Sequence, residues 1–149
     1  MAPILFGAFC ILQGMTKQFG FGKNEKLKSR KQIEELFAKG KSFAVFPLRV
    51  IYQIIPTSGE PMLQVGVTAG SKHFKKAVDR NRIKRLLRET YRLQKAGLSD
   101  VVRQKRMNVF IFFMYLDKTI PPFNVIKESM NNCLNRLEQK LSDIDEYIV

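Results

Sequence analysis

The chain has 149 residues, an apolar content of 45%, a formal net charge of +13 and a pI near 10.0. That length supports one domain with its own core, and the ordinary apolar content means that the charge is carried on a folded body. Two cysteines, Cys10 and Cys133, and a single histidine, His73, are too few for a disulfide framework, a zinc site or a Cys/His or Ser/His/Asp catalytic constellation. They suit a reducing cytoplasm.

The excess of positive charge points to nucleic acid or an anionic membrane surface. It is uneven. Lys17 to Arg106 holds 22 basic and 7 acidic residues, whereas Met107 to the end holds 4 basic and 6 acidic ones. The binding surface is therefore expected in the first two-thirds of the chain.

Residues Met1 to Gly14 are apolar and uncharged. No basic residue precedes the apolar run, as a signal peptide would require, and the run is too short to span a bilayer. Either Met15 is the true start, or this stretch is a disordered or loosely docked extension, with residues 1–22 outside the domain. Ser29 then opens a helix, with Gln32 in capping-box position. Ile33, Leu36 and Phe37 follow at i, i+3, i+4 spacing, and Gly40 fits the C′ stop. From Leu48 to Ile55 the pattern alternates as a strand does, with Leu48, Val50, Tyr52 and Ile54 on one side. A turn over residues 56–61 leads to a second strand, Met62 to Thr68, and an antiparallel hairpin is expected. There Leu63, Val65 and Val67 make the apolar side, and Gln64, Gly66 and Thr68 the polar one. Gly66 would admit a close approach to the backbone.

Between Ser71 and Arg92 lie nine basic residues against two acids, Asp79 and Glu89. On a helix, Ile83, Leu86, Leu87 and Tyr91 form one apolar stripe, while Arg80, Lys84, Arg88 and Arg92, with Asn81 and Arg85, cover the other side. Like charges at i, i+4 repel, and the guanidinium fork suits bidentate phosphate contact. A polyanion fits this surface better than water alone. Ser99 to Gln104 is a short helical candidate. Asn108 to Tyr115 is apolar on both faces and is expected to be a buried, central strand. After Pro121-Pro122, a last helix reaches about Leu141 on the stripe Ile126, Met130, Cys133, Leu134, Leu137 and Leu141. Residues 142–149 form an acidic tail, expected to fray. The order of elements describes an α+β domain over residues 23–141, a small sheet packed by helices.

At Arg80-Asn81-Arg82 the pattern becomes specific. The run AVDRNRIKRLLRETYR resembles the signature of the protein subunit of bacterial ribonuclease P. Upstream, LKSRKQIEELFAKGKSF is similar to that family's first helix, and VGVTAGSKHFKKAV to its strand and loop before the motif. The resemblance covers Leu27 to Arg92 closely and Met107 to Leu141 by pattern; residues 1–22 depart from it. It implies a left-handed βαβ crossover, where chirality rules alone would give a right-handed one. It also implies endonucleolytic removal of the 5′ leader from precursor tRNA, in the cytoplasm, by a catalytic RNA subunit with Mg²⁺. The protein would bind that RNA and hold the leader, with no catalytic residue of its own and no small-molecule substrate. Carried onto this chain, the RNA-binding set is Lys72, Lys75, Lys76, Arg80, Asn81, Arg82, Lys84, Arg85 and Arg88. The leader would lie in a cleft between the first helix and the open sheet face, at Ile33, Phe37, Arg49, Ile51, Gln64 and Thr68. Phe37 is the aromatic expected to stack a base; Ile33 stands where the family often has a second aromatic.

Two other readings stay open at this level. A ribosomal-type RNA-binding protein would share the charge but not the Arg-Asn-Arg motif. A membrane-surface protein would use the basic amphipathic helix, but the apolar side of that helix has neither Trp nor Phe, and no membrane partner is expected. A helix-turn-helix lacks its short turn.

Overall fold

The computed structural model describes residues 22–57 and 59–148, with side chains to residue 144; the expectations for Met1 to Gly14 lie outside the described residues. Helix α1 (Arg30–Lys39) begins where the Ser29 hydroxyl accepts from the Gln32 backbone N–H, which satisfies one of the unpaired donors of the first turn. Gly40 ends it, though with φ −70° rather than in the left-handed conformation of a C′ glycine. A Cβ at Gly40 would lie 2.4 Å from the Leu36 carbonyl oxygen and 3.0 Å from Ile51 Cγ2. Glycine is needed here because the helix end packs against the sheet.

Among the described residues the sheet has four strands, β1 (Lys41–Val45), β2 (Leu48–Pro56), β3 (Met62–Ala69) and β4 (Met107–Tyr115), in the order β1-β2-β4-β3. The expected hairpin of β2 with β3 does not form. β4 lies between them, antiparallel to β2 with Tyr52 opposite Ile111, and parallel to β3 with Val65 opposite Ile111. The physical reason is in β4 itself. Val109, Ile111 and Phe113 are fully buried on one face and Phe110 nearly so on the other, and only a central position covers both. β2 takes its hairpin partner from β1, a short strand that the sequence pattern did not reveal.

Between β3 and β4 the chain passes through α2 (Ala77–Gln94) and α3 (Ala96–Lys105), which makes the βαβ unit that the resemblance implies. These helices and α4 (Phe123–Ile148) cover one face of the sheet. Leu48, Val50, Val65, Ile111 and Phe113 meet Ile83, Leu87, Tyr91, Ile126, Met130 and Leu137 in one core, each such side chain contributing about 1.5–3 kcal/mol on burial. α4 does not stop near Leu141. Ile144 continues its apolar stripe against the core, and the helix runs to Ile148. Among the described residues, the other face carries α1 and the segment before it, on a smaller cluster of Leu27, Leu36, Ile51 and Phe110.

The exposed edge of β3 is closed by the segment before α1. A 3₁₀ turn (Lys23–Glu25) leads into Lys26, which bridges to Val65, and the Leu27 N–H donates to the Val65 carbonyl at 3.0 Å. Such cover hides an edge that could otherwise pair with another chain.

Candidate nucleic-acid interface

The stripe read on α2 faces the core: Ile83, Leu87 and Tyr91 are at most 1% exposed, and Leu86 is half-buried at its margin. Burial raises the Tyr91 phenol well above its ordinary range, with a further push from the Glu25 carboxylate. Asn81, Arg82, Arg85 and Arg88 face outward and are exposed, and Lys84 is half-buried. Arg80, half-buried, also makes contacts within the protein. Its Nη1 donates to the carbonyls of Phe74 at 2.7 Å and Lys75 at 2.9 Å, so its guanidinium pins the loop before the helix. Arg92 donates through Nε to Glu89 at 3.1 Å and through Nη2 to the same carboxylate, and that hydrogen bond holds the Glu89 carboxyl below its ordinary range. Among the described residues, Arg82, Arg85 and Arg88 have no carboxylate partner.

The pinned loop displays Lys72, Lys75 and Lys76, all exposed. Buried Phe74 anchors it, with its ring tilted against Tyr115 at 6.0 Å. The three lysines and His73 line a hollow of about 470 Å³ together with Lys118 from the loop after β4. Sequence reasoning missed Lys118, because a lone lysine 42 positions beyond Lys76 carries no local signal.

On the α1 face, the predicted cleft residues take different positions around Phe112 and Met114. Ile33 lines a cavity of about 290 Å³ with Lys26, Lys28, Gly66, Arg88 and Phe112. Phe37 is 46% exposed and meets Phe112 edge-on, with centroids 5.2 Å apart and planes at 66°. Arg49 and Thr68 flank Met114 one row along the sheet. Ile51 lies beneath α1 at 6% exposure and belongs to the core there. Gln64 donates to the Asn24 carbonyl at 3.3 Å, so the segment before α1 engages it.

The aromatic that sequence reasoning missed is Phe112. A Cβ on Gly66 would lie 2.7 Å from its ring, so Gly66 admits this ring over β3. Its signal was the alternation Phe110, Phe112, Met114, hidden in a strand apolar on both faces. Lys26, Lys28 and Arg88 give the cavity a basic wall.

Among the described residues no group of three or more His, Cys, Asp or Glu could hold a metal ion, and no helix is long and apolar enough to cross a membrane. Fold and surface together define a basic α+β protein that presents a core-anchored arginine helix beside an aromatic cleft. The family model described as Ribonuclease P matches residues 21–138. A ribonuclease P protein component from Porphyromonas gingivalis is 38% identical over 119 residues, 80% of this chain and 87% of the relative. One from Chlorobium phaeobacteroides is 28% identical over 132 residues, covering 82% and 89%. The fold is similar to that of the RNase P protein from Thermotoga maritima, at a TM-score of 0.60 and 24% identity over 75% of this chain and 96% of that one. It is likewise similar to the Staphylococcus aureus RNase P protein, at 0.60 and 20% identity over 76% and 94%. The chain belongs to the ribonuclease P protein family, the protein component of a ribonucleoprotein endoribonuclease of tRNA 5′ maturation.

Proposed function

We propose that this protein binds the RNA subunit of ribonuclease P through α2 and its preceding loop, and holds the 5′ leader of precursor tRNA on the α1 face. The observation that carries the first half is the set Arg82, Arg85 and Arg88, exposed and without carboxylate partners among the described residues, on a helix whose opposite stripe is buried. A rigid helix fixes the spacing of the three guanidiniums, and each planar fork supplies charge-assisted, bidentate contacts to a phosphate. Lys72, Lys75, Lys76 and Lys118 extend the same positive surface along the loops. For the leader, the Phe37–Phe112 pair offers an aromatic surface and Lys26, Lys28 and Arg88 a basic wall. That combination suits a single strand, whose bases stack and whose phosphates need neutralising.

In this reading the RNA and its Mg²⁺ supply the hydrolytic chemistry, in the cytoplasm. The described side chains offer no carboxylate cluster for a resident metal. The protein lowers the electrostatic cost of bringing two polyanions together and selects the substrate that still carries a leader. The test is to purify the protein from cells at low salt and sequence the RNA that accompanies it. One structured RNA together with leader-bearing tRNA precursors is expected; ribosomal RNA alone would overturn the assignment. Adding the protein to the isolated RNA subunit at modest Mg²⁺ is expected to speed leader removal.

A further inference from the structure

Beside α2 lies a groove whose chemistry goes beyond phosphate binding. It has a volume of about 530 Å³ and runs between α2 and the start of α4. Leu86 and Phe123 are its apolar part, Arg82, Arg85 and Arg88 its charged part, and the Glu89–Arg92 pair lies in its wall. Phosphates alone need the guanidiniums but not an aromatic ring among them. Phe123 nevertheless remains 36% exposed there.

Its position is firmly held. The backbone N–H groups of Val125 and Ile126 both donate to the Pro122 carbonyl, at 3.2 and 3.4 Å, and Ile126 is fully buried in the core. The first turn of α4 is thereby fixed, and a ring at its first residue is set against the arginine side of α2. An apolar ring lining one groove with guanidiniums that have no carboxylate partner among the described residues matches the two halves of one nucleotide: a base to stack and phosphates to grip.

We infer that this groove seats an unpaired nucleotide of the RNA subunit, its base stacked on Phe123 and its flanking phosphates held by Arg82 and Arg85. The occupant is unpaired because an A-form duplex keeps its base faces stacked inside the helix, while loops and bulges can present them. The inference rests on the reading of α2 as the RNA-subunit surface, since the arginines assigned to that RNA also line the groove. It assigns to Phe123 a stacking role outside the Arg-Asn-Arg motif. An unpaired nucleotide, rather than any phosphate, then fixes where the RNA backbone sits along α2.

The chain contains no tryptophan, so Phe123→Trp introduces a single indole reporter at the groove. On addition of the RNA subunit its emission is expected to be quenched by the stacked base, with affinity retained. Phe123→Leu keeps apolar bulk but removes the π face. Its affinity is expected to fall roughly tenfold, with an unchanged slope of log K against log salt, because no phosphate contact is lost. Arg82→Ala should instead lower that slope. Unchanged emission in a complex that forms, or wild-type affinity in a folded Phe123→Leu protein, overturns the inference while leaving the α2 reading intact. Quenching by precursor tRNA or by a protein partner, and not by the RNA subunit, would mean another occupant and also overturns it. If no complex with the RNA subunit forms, the α2 reading falls and takes this one with it.

Discussion

Lys95, only 2% exposed, donates to both carboxylate oxygens of Glu25, at 2.7 and 2.8 Å, across 70 residues of sequence. The pair ties the turn before α1 to the junction of α2 and α3. Glu25 also accepts from the Gly22 N–H at 3.0 Å, so one carboxylate secures the strap along the β3 edge at two points. Glu25→Gln removes the charge opposite a buried ammonium and is expected to cost about 2–4 kcal/mol. Lys95→Met, which removes the buried charge, should be tolerated better. Urea unfolding of both variants checks the order; equal losses would mean that the pair acts only as a packing contact.

Phe37 is half exposed and rests on the Phe112 ring rather than inside the core, while its neighbour Leu36 is fully buried. Phe37→Ala should therefore cost about 1.5–3 kcal/mol, from the aromatic pair and the buried half of the ring, short of the 3–5 kcal/mol of a core Phe→Ala. The folded variant is expected to bind the RNA subunit nearly as before and to lose preference for precursor over mature tRNA. A thermal melt and paired binding titrations decide this, and unchanged discrimination would remove Phe37 from the leader site.

Binding to the RNA subunit should weaken steeply with salt. With about six phosphates engaged, log K against log salt is expected to slope near −4 to −5. Changing Arg82 and Arg85 together to Ala should make that slope shallower by about 1.5 and lower affinity by a few kcal/mol, at about 1–2 per contact. Neither residue is buried, so the melting temperature should hold. A flat salt dependence of the wild type would refute the electrostatic account.

Stability should fall in alkali. Burial pushes the Cys133 thiol from its ordinary 9.0 up to about 12, against a small opposing pull from Arg136, and it raises Tyr91 as well. Tyr115, whose hydroxyl donates to the Thr119 carbonyl at 2.6 Å, is pushed up to about 12, mainly by burial. A raised folded-state pKa favours the neutral form in the native protein. Its contribution is therefore complete below the unfolded-state pKa and is lost as pH rises from about 9 toward 12. Each ionising group removes about 1.4 kcal/mol per pH unit within that window. Urea midpoints at pH 7, 9 and 10.5 measure the decline, and Cys133→Ala should lessen its first part. A Cys133→Ala protein with the same decline would show that the buried thiol is not responsible.

The sequence alone determined the local patterns. Ser29 and Gln32 mark the start of α1, Ile83, Leu87 and Tyr91 mark the inner side of α2, and the doubly apolar run Asn108 to Tyr115 marks a central strand. It also placed the arginines on one outward surface, because helical periodicity sorts side chains without reference to any other element. Tertiary structure alone decided who meets whom. The alternation in β2 and β3 states which side of each strand is buried, but not which neighbour fills the gap between them. β4 wins that place because both its faces need cover, and the β2–β3 hairpin is lost to it. The same non-local packing sets Phe112 beside Phe37, Lys118 beside the Lys72–Lys76 loop and Glu25 against Lys95. It also sets the Arg80 guanidinium against the carbonyls of the preceding loop. These pairings are fixed by the competition of whole elements for one sheet and its two faces, a quantity that no window of neighbouring residues contains.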